Sequence, residues 1–223
     1  MRPGHDRPST AVEDYLKVIY TLGEHSGGEP VGTSPVAERM GVAASSVSGM
    51  VRKLRELGLV EHARYGTIAL TGEGQRLALA VVRRHRLIEQ LLVTEFGYGW
   101  DEVHPEAEAL EHVVSDRLIE AIADRLGHPE TDPHGDPIPG RAGEVADWDA
   151  RRLSEMTPGT EGDLVRVDDD TAVLQHLTAH EVALGDRIEL VRREPFGGPF
   201  VVRVGERELQ FGPELVDALW VRL

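Results

Sequence analysis

Apolar residues recur at helical spacing in three stretches of the first 60 residues. A helix is predicted over 9–24, with Ser9 or Thr10 as its cap and an apolar face formed by Val12, Tyr15, Leu16, Ile19 and Tyr20. A short helix should begin at Ser34-Pro35 and end near Gly41, and another should run from a Ser45 cap to a stop at Gly58. Only GVAA separates these two helices, so the pattern predicts a helix-turn-helix.

After Gly58 the spacing of apolar residues changes from helical to alternating. Residues 59–62 and 67–70 alternate around Arg64-Tyr65-Gly66, which predicts a β-hairpin of the kind that forms a wing. Thr71 should cap a long amphipathic helix that ends near Phe96, and His104-Pro105 should open another that ends at Leu126-Gly127. The apolar faces of 77–92 and 110–122 exceed what one helix pair buries, which indicates a homodimer, although an ordinary core role would give the same pattern.

The last part of the chain has a β-type pattern. Four prolines and four glycines between Gly127 and Gly143 predict a linker or an extended loop. From 160 to 223, short β-type runs are broken by glycine and proline, with one short helix around 173–180, which predicts a small β-barrel. The expected fold class is therefore α+β, with a DNA-binding domain at 1–76, a helical domain at 77–145 and a β domain at 146–223.

Composition restricts the function classes. The 223 residues include 40% hydrophobic residues, but no apolar run approaches the roughly 20 residues that span a bilayer, and the N-terminus lacks a signal-peptide pattern. We therefore expect a soluble, cytoplasmic protein without a membrane partner. The chain has no cysteine, which excludes disulfides and thiolate metal sites and leaves His, Asp, Glu and backbone oxygens as metal ligands.

The formal charge of −15 is unevenly distributed. Residues 1–78 carry nine Lys/Arg and nine Asp/Glu, whereas 79–145 carry six and fourteen. Residues 34–60 include four basic and two acidic residues, so this segment has a positive net charge. A local basic face can bind DNA although the whole chain is acidic.

Six residues on two adjacent predicted helices have the types and spacing of metal ligands. Glu108, Glu111 and His112 stand at i, i+3 and i+4, and His85 and Glu89 stand at i and i+4. His104 opens the second helix. A solvated acidic face is the simpler alternative, but three histidines favour a metal, since carboxylates held close together repel one another unless a cation neutralises them.

The helix after GVAA is the candidate for DNA recognition. Ser45, Ser46, Ser48 and Gly49 lie near its N-terminus, where base edges would be read, and Arg52 and Lys53 follow for phosphate. Arg64 and Tyr65 at the tip of the hairpin would add contacts of the wing. An ordinary core helix with a polar outer face would show the same periodicity.

At this point the sequence resembles the diphtheria toxin repressor family of metal-dependent regulators, and more closely its manganese-transport regulators. The resemblance covers nearly the whole chain and rests on AVEDYLKVIY (11–20), SSVSGMVRKLRELGLV (45–60), VRRHRLIEQLL (82–92), VHPEAEALEHVVSDRL (103–118) and DPHGDPIPG (132–140). It implies an N-terminal winged helix-turn-helix, a helical metal-binding and dimerisation domain, and a C-terminal SH3-like β-barrel.

The resemblance also implies two metal sites. The primary site would take Asp14, Glu108, Glu111 and His112, and an ancillary site would take His85, Glu89 and His104 with an acidic residue of the barrel, for which Asp168 is the candidate among 168–170. The iron sensors of the family have Met and Cys where this chain has Asp14 and Glu108, and hard oxygen ligands favour Mn(II). Lys17 stands where the short manganese regulators have a Glu, which disfavours a paired-ion site.

The sequence thus predicts a repressor that is not an enzyme, that dimerises when loaded with Mn(II), and that binds a palindromic operator of metal-uptake genes. Fe(II) sensing is the alternative within the family, and Co(II) or Zn(II) could also bind, Zn(II) more tightly than Mn(II) on affinity alone. A carboxylate-bridged metalloenzyme is disfavoured because Glu108-x-x-Glu111-His112 has no symmetric partner. The remaining alternative is a winged-helix regulator that senses an organic ligand or a protein partner, with a merely structural acidic cluster, although no small organic ligand is expected.

Overall fold

The computed structural model describes residues 8–25, 28–62, 66–146 and 149–223. Its helices are α1 (Thr10–His25), α2 (Thr33–Met40), α3 (Ala44–Glu56), α4 (Gly72–Phe96), α5 (His104–Leu110), α6 (Asp116–Arg125), α7 (Thr171–Ala179) and α8 (Pro213–Asp217). Its strands are β1 (Val60–His62), β2 (Ile68–Leu70), β3 (Arg151–Arg152), β4 (Thr160–Val167), β5 (Arg187–Arg193), β6 (Phe200–Val204), β7 (Arg207–Phe211) and β8 (Leu219–Arg222). The chain forms two compact units, one of residues up to Arg84 with Pro139–Glu144, the other of His85–Ile138 and Val145–Leu223.

The first unit contains the predicted helix-turn-helix and the strands of the wing. Helices α1, α2 and α3 enclose a core whose buried members include Val12, Leu16, Val36, Val47 and Leu54. Strands β1 and β2 pair antiparallel, with β1 directly following α3. Val31 adds an antiparallel bridge to Ile68, so the hairpin is tied to the loop before α2. The winged helix-turn-helix prediction is confirmed.

Two predicted helix caps are wrong. α2 begins at Thr33 with Gly32 as its N-cap, and α3 begins at Ala44 with Ala43 as its N-cap, both without a side-chain hydrogen bond. Pro35 is tolerated inside the first turn of α2 because the amide groups there have no intrahelical acceptor. Ser45 therefore lies in the first turn of α3, where its hydroxyl is left for other partners.

Helix α4 has the predicted start and end. The Thr71 hydroxyl oxygen accepts a hydrogen bond from the Gly74 amide at 3.1 Å, which is an N-cap contact. The helix continues for 25 residues to Phe96. Its second half packs in a core of the second unit, together with buried residues of α5 and α6 such as Ala107, Ile119 and Ile122.

The helix predicted from His104 to Leu126 is instead two helices. α5 ends at Leu110, and the Ser115 hydroxyl accepts a hydrogen bond from the Leu118 amide at 3.3 Å to cap α6. A serine followed by Asp116 is a strong helix start, and the β-branched Val113 and Val114 before it are weak helix formers. Glu111 consequently closes α5, and His112 lies in the turn after it.

The C-terminal region is a six-stranded antiparallel sheet in the order β3-β8-β4-β5-β6-β7. Bulges between Leu164 and Arg166 in β4, and between Leu190 and Arg192 in β5, increase its twist and let it curve around one core. The members of that core include Leu153, Leu164, Leu174, Ile188, Val202, Phe211 and Leu219. The SH3-like prediction is confirmed, and β3 and α8 are additions that the sequence pattern did not reveal.

The loop between α6 and β3 is extended, as the prolines and glycines predicted. Thr131 forms an isolated antiparallel bridge with Pro137, and the intervening residues are closed into a turn. Gly135, at φ 88°, lies so close to the backbone of β4 that a β-carbon there would overlap the Val165 carbonyl. The Val167 amide also donates to the His134 carbonyl at 2.9 Å, so this loop is fixed directly on β4.

Candidate metal centre

His85 and Glu89 occupy successive turns of α4 and are both buried. The His85 Nε2 lies 2.8 Å from the Glu89 Oε1. The other ring nitrogen, Nδ1, lies 2.6 Å from the Glu111 Oε2, and Glu111 has no exposed surface. His85 therefore joins two buried carboxylates, one from its own helix and one from the end of α5.

Glu111 contacts a second histidine through its other oxygen. The His112 Nε2 lies 3.2 Å from the Glu111 Oε1. Because α5 ends at Leu110, this pair belongs to the turn between α5 and α6 rather than to a continuous helical face. The three residues that the sequence placed at i, i+3 and i+4 therefore do not share one regular helix.

His104, the first residue of α5, lies between several carboxylates. Its Nδ1 is 2.7 Å from the Asp169 Oδ2 and 3.3 Å from the Glu89 Oε1. Its Nε2 is 3.4 Å from the Glu108 Oε1. The His85 and His104 rings meet edge to face at 4.8 Å between centroids. These contacts join the predicted ancillary residues into one continuous cluster with Glu111.

His134, which was not named from the sequence, and Asp169, one of the three residues at 168–170, belong to this cluster. The His134 Nδ1 lies 3.9 Å from the Glu89 Oε2, and its Nε2 lies 3.7 Å from the Asp169 Oδ1. The His134 Nε2 also lies 2.7 Å from the Trp100 carbonyl oxygen, which can only accept a hydrogen bond. His134 comes from the loop after α6 and Asp169 from the short loop between β4 and α7, so no local spacing could link them to α4.

The structure places Asp168, the residue of the barrel that the sequence offered as a ligand, against the sheet. The Asp168 Oδ1 accepts a hydrogen bond from the Trp220 indole at 2.8 Å, and its Oδ2 lies 3.4 Å from an Arg152 nitrogen. Asp168 thus belongs to the surface of the sheet, while its neighbour Asp169 turns to His104. The run of three aspartates at 168–170 gave no signal that distinguishes them.

Two groups of ligand atoms have the spacing of a metal site within the second unit. One group consists of Glu89, His134 and Asp169, the other of His85, His104 and Glu108, and in each group one ligand atom per residue lies within 4.8 Å of the others. Opposite ligands on a divalent ion with bonds of about 2.2 Å are separated by about 4.4 Å. The carboxylate and imidazole donors therefore fit a hard divalent cation after small adjustments.

Charge compensation within the cluster sets its pKa values. Burial alone would lower the pKa of His104, but hydrogen bonds to Asp169 and Glu89 outweigh burial and raise it to about 10. Burial alone would raise the pKa of Glu89, but the His85 charge and the hydrogen bonds from His104 and His85 bring it below its usual range. The pKa of Asp169 is lowered in the same way, because its hydrogen bond to His104 outweighs burial. Protonated imidazoles thus supply the positive charge that the buried carboxylates require.

The loop that carries His134 is held by a buried ionic network. Arg86 donates to the Pro137 carbonyl at 2.7 Å and lies 3.2 Å from the Asp136 carboxylate, which also lies 3.0 Å from the Arg166 Nε. The Asp132 Oδ1 accepts hydrogen bonds from the amides of His134 and Asp136, each at 2.9 Å. Burial and the neighbouring Asp136 and Glu89 charges raise the pKa of Asp132 to about 8.

Asp14 lies on α1 in the first unit and is half-buried. Its neighbour Glu13 forms a buried ion pair with Arg84 of α4, at 2.8 Å between Oε1 and Nη2. Lys17, one turn along α1, is 7% exposed. The stretch of α1 around Asp14 is therefore fixed by charged side chains that are out of solvent, as a functional position on this helix would require.

The predicted DNA-contacting residues of α3 are all exposed. Ser45, Ser46, Ser48, Gly49, Arg52 and Lys53 face away from a buried side formed by Val47, Val51 and Leu54. The Ser48 hydroxyl donates to the Ala44 carbonyl at 3.0 Å, and nothing lies within 4 Å of where a Gly49 β-carbon would stand. Arg64 and Tyr65 lie outside the described residues.

Along the described residues, none of the helices has the length and apolarity that crossing a membrane requires.

Comparison with known proteins places each part of the chain. The family description "Iron dependent repressor, N-terminal DNA binding domain" matches residues 9–68, "Iron dependent repressor, metal binding and dimerisation domain" matches 71–140, and "FeoA domain" matches 151–223. The iron-dependent repressor IdeR of Mycobacterium leprae is 33% identical over 222 residues, which cover 94% of this chain and 95% of that protein.

Solved structures of metal-dependent repressors are also similar to this chain over nearly its whole length. A manganese-dependent transcriptional repressor in complex with manganese superposes with a TM-score of 0.89 at 45% identity, over 94% of this chain and 98% of that one. The manganese regulator SloR superposes with a TM-score of 0.81 at 34% identity, over 95% and 97%. The chain therefore belongs to the iron-dependent repressor family of the diphtheria toxin repressor, and it is a metal-dependent transcriptional repressor rather than an enzyme.

Proposed function

We propose that this repressor responds to Mn(II), and that the metal-loaded protein binds a near-palindromic operator as a homodimer and represses metal-uptake genes. The observation that carries the proposal is a ligand cluster made only of carboxylates and imidazoles, in a chain without cysteine. Hard oxygen ligands suit Mn(II), whereas sulfur ligands suit softer ions.

The identities to relatives support manganese as the first candidate and iron as the second. The manganese-dependent repressor is 45% identical to this chain over nearly its whole length, while IdeR of Mycobacterium leprae is 33% identical. Fe(II) is the second candidate because IdeR is an iron-dependent repressor. The two metals prefer similar ligands, so geometry and the metal supply of the cell must separate them.

We assign two ligand sets. The first, by resemblance, is Asp14 with Glu108, Glu111 and His112. The second is Glu89, His134 and Asp169, with His85 and His104 beside them. A bound divalent ion supplies positive charge to these carboxylates. Without it, His104, whose pKa is raised to about 10, holds that charge as a proton, so metal binding should release protons.

The first ligand set is the proposed switch, because Asp14 belongs to the unit that contains the recognition helix and the other three residues belong to the second unit. Ligands drawn from both units couple metal binding to the spacing of the two recognition helices in a symmetric dimer. The two helices then match operator half-sites one helical turn apart, or a multiple of it. The second ligand set lies within one unit and should stabilise that unit.

The test selects the operator and then measures affinity. Duplexes bound by the full chain in Mn(II) are selected from a random pool, and fluorescence anisotropy gives their dissociation constants with Mn(II) or a chelator. We expect a near-palindromic sequence and at least about 100-fold tighter binding with Mn(II), the upper range of typical allosteric coupling. Asp14→Ala should abolish that difference, and Asp124→Ala, at an exposed position of α6, is the control. Equal affinity with Mn(II) and chelator would contradict the proposal.

A further inference from the structure

Trp100 lies in the loop between α4 and α5 and joins the second ligand set to the SH3-like domain. Its carbonyl oxygen lies 2.7 Å from the His134 Nε2. Its indole Nε1 donates to the Thr178 hydroxyl on α7 at 2.8 Å. The indole also packs against the core of the SH3-like domain. One residue thus contacts a candidate metal ligand through its backbone and a different domain through its side chain.

The hydrogen bond from His134 to the Trp100 carbonyl determines which ring nitrogen of His134 can bind a metal ion. A carbonyl has no proton to give, so the His134 Nε2 must carry the proton of this bond. In the neutral ring the lone pair then lies on Nδ1, the atom that faces the Glu89 Oε2 at 3.9 Å. A backbone carbonyl that holds one ring nitrogen of a metal-binding histidine fixes both its tautomer and its orientation.

The Thr178 hydroxyl is oriented so that its oxygen can accept the hydrogen bond from the Trp100 indole. It donates its own proton to the Leu174 carbonyl at 2.9 Å, which leaves an oxygen lone pair for the Trp100 Nε1. Leu174 is fully buried in the domain core, so this chain of hydrogen bonds ends on a rigid element. The position of the Trp100 carbonyl is therefore set by α7, which follows β4 and Asp169 directly in the chain.

From this geometry we infer that Trp100 is a positioning residue for the Glu89, His134 and Asp169 site, where its carbonyl presents His134 Nδ1 to the ion and its indole anchors that carbonyl on α7. The inference rests on the proposed second ligand set. It assigns to Thr178, which lies outside both ligand sets, an influence on metal affinity through Trp100.

The test uses the full chain with Mn(II) as the probe. Trp100→Phe and Thr178→Val each remove the same hydrogen bond and leave the carbonyl in place. Calorimetric titration should show the second Mn(II) bound about tenfold more weakly in either variant, the lower end of what outer-shell partners of a metal ligand contribute. The double variant should lose no more Mn(II) affinity than either single variant, because both substitutions remove the same hydrogen bond. Thr160→Val is the control, because the Thr160 hydroxyl binds the Thr157 carbonyl elsewhere in the domain.

A second measurement separates positioning from a merely structural role. In the metal-free protein, ¹⁵N chemical shifts of His134 at alkaline pH should show the Nε2–H tautomer in the wild type and a mixture of tautomers in both variants. An Nδ1–H tautomer in the wild type would overturn the inference. If both variants bound two Mn(II) ions with unchanged affinity, the inference would also be overturned, whereas the proposed second site would stand. If the wild type bound one Mn(II), unaffected by His134→Ala, the second site itself would be refuted along with the inference.

Discussion

The histidine and carboxylate cluster has two ends that differ in origin. At one end lie three residues of the first ligand set, which are Glu108 of α5 and Glu111 and His112 of the turn after it. Glu111 contacts His112 at 3.2 Å and also His85 of α4 at 2.6 Å. At the other end, Glu89 meets His134 and Asp169, which come from two loops. The first end has its remaining proposed ligand, Asp14, in the other compact unit, whereas the second end is complete within its own. We therefore expect the first end to control DNA binding and the second to control the stability of one unit.

The largest effect is expected from Glu111→Gln. This change keeps the shape of a side chain that has no exposed surface, but it removes the charge that faces His85 and His112. The Mn(II) concentration needed for half-maximal operator binding should rise by up to about 150-fold, the upper limit that corresponds to a lost coupling of about 1–3 kcal/mol. Anisotropy titration of the selected duplex measures it. Glu106→Gln, an exposed position on the same helix, should behave as the wild type. An unchanged Mn(II) response in Glu111→Gln would show that the two ends do not differ as proposed.

A smaller effect on DNA binding is expected from Asp169→Asn. The variant should lose one Mn(II) from the stoichiometry of the wild type, while the Mn(II) response of operator binding weakens by about tenfold or less. Asp168→Asn is the matched control, because its carboxylate binds Trp220 and Arg152 instead. Equilibrium dialysis gives the stoichiometry. Loss of an ion in Asp168→Asn but not in Asp169→Asn would reverse the assignment made from the structure.

These two predictions also indicate how far the sequence alone could lead. The sequence predicted the winged helix and the barrel because their apolar patterns are local. Helical spacing joined His85 to Glu89 on α4, and the residue types of His104, Glu108, Glu111 and His112 suggested that they lie near this pair. His134 was not predicted, and Asp169 was not distinguished from its neighbours at 168–170, because their closeness to Glu89 depends on how a proline-rich loop lies against β4. The break between α5 and α6 was missed because Ser115 competes with an apolar pattern that continues through it.

The smallest effect concerns His104, which lies between the two ends. Its folded-state pKa of about 10 exceeds its usual value of 6.5, so protonated His104 stabilises the metal-free fold below pH 6.5, and this contribution is lost as the pH rises toward 10. Asp132, whose pKa is raised to about 8, acts in the same direction. Urea unfolding with a chelator should show stability falling by about 1 kcal/mol between pH 7 and 9.5, a value discounted because a third of the His104 side chain is exposed.

The control for this pH dependence is His104→Gln, which cannot be protonated and should flatten the slope. Added Mn(II) should oppose the effect, because the ion competes with these protons and binds more tightly as the pH rises. A stability that increases from pH 7 to 9.5 without metal would contradict the account of charge in the cluster.

The most direct test of the central claim is a titration of operator binding under anaerobic conditions with buffered free Mn(II) and, separately, Fe(II). The same duplex and protein concentration are used for both metals, with Co(II) and Zn(II) as references for general affinity. We predict that Mn(II) drives operator binding at a free concentration equal to or below that required for Fe(II), and that Asp14→Ala removes both responses. A response to Fe(II) at a far lower free concentration than to Mn(II) would contradict the assignment of manganese.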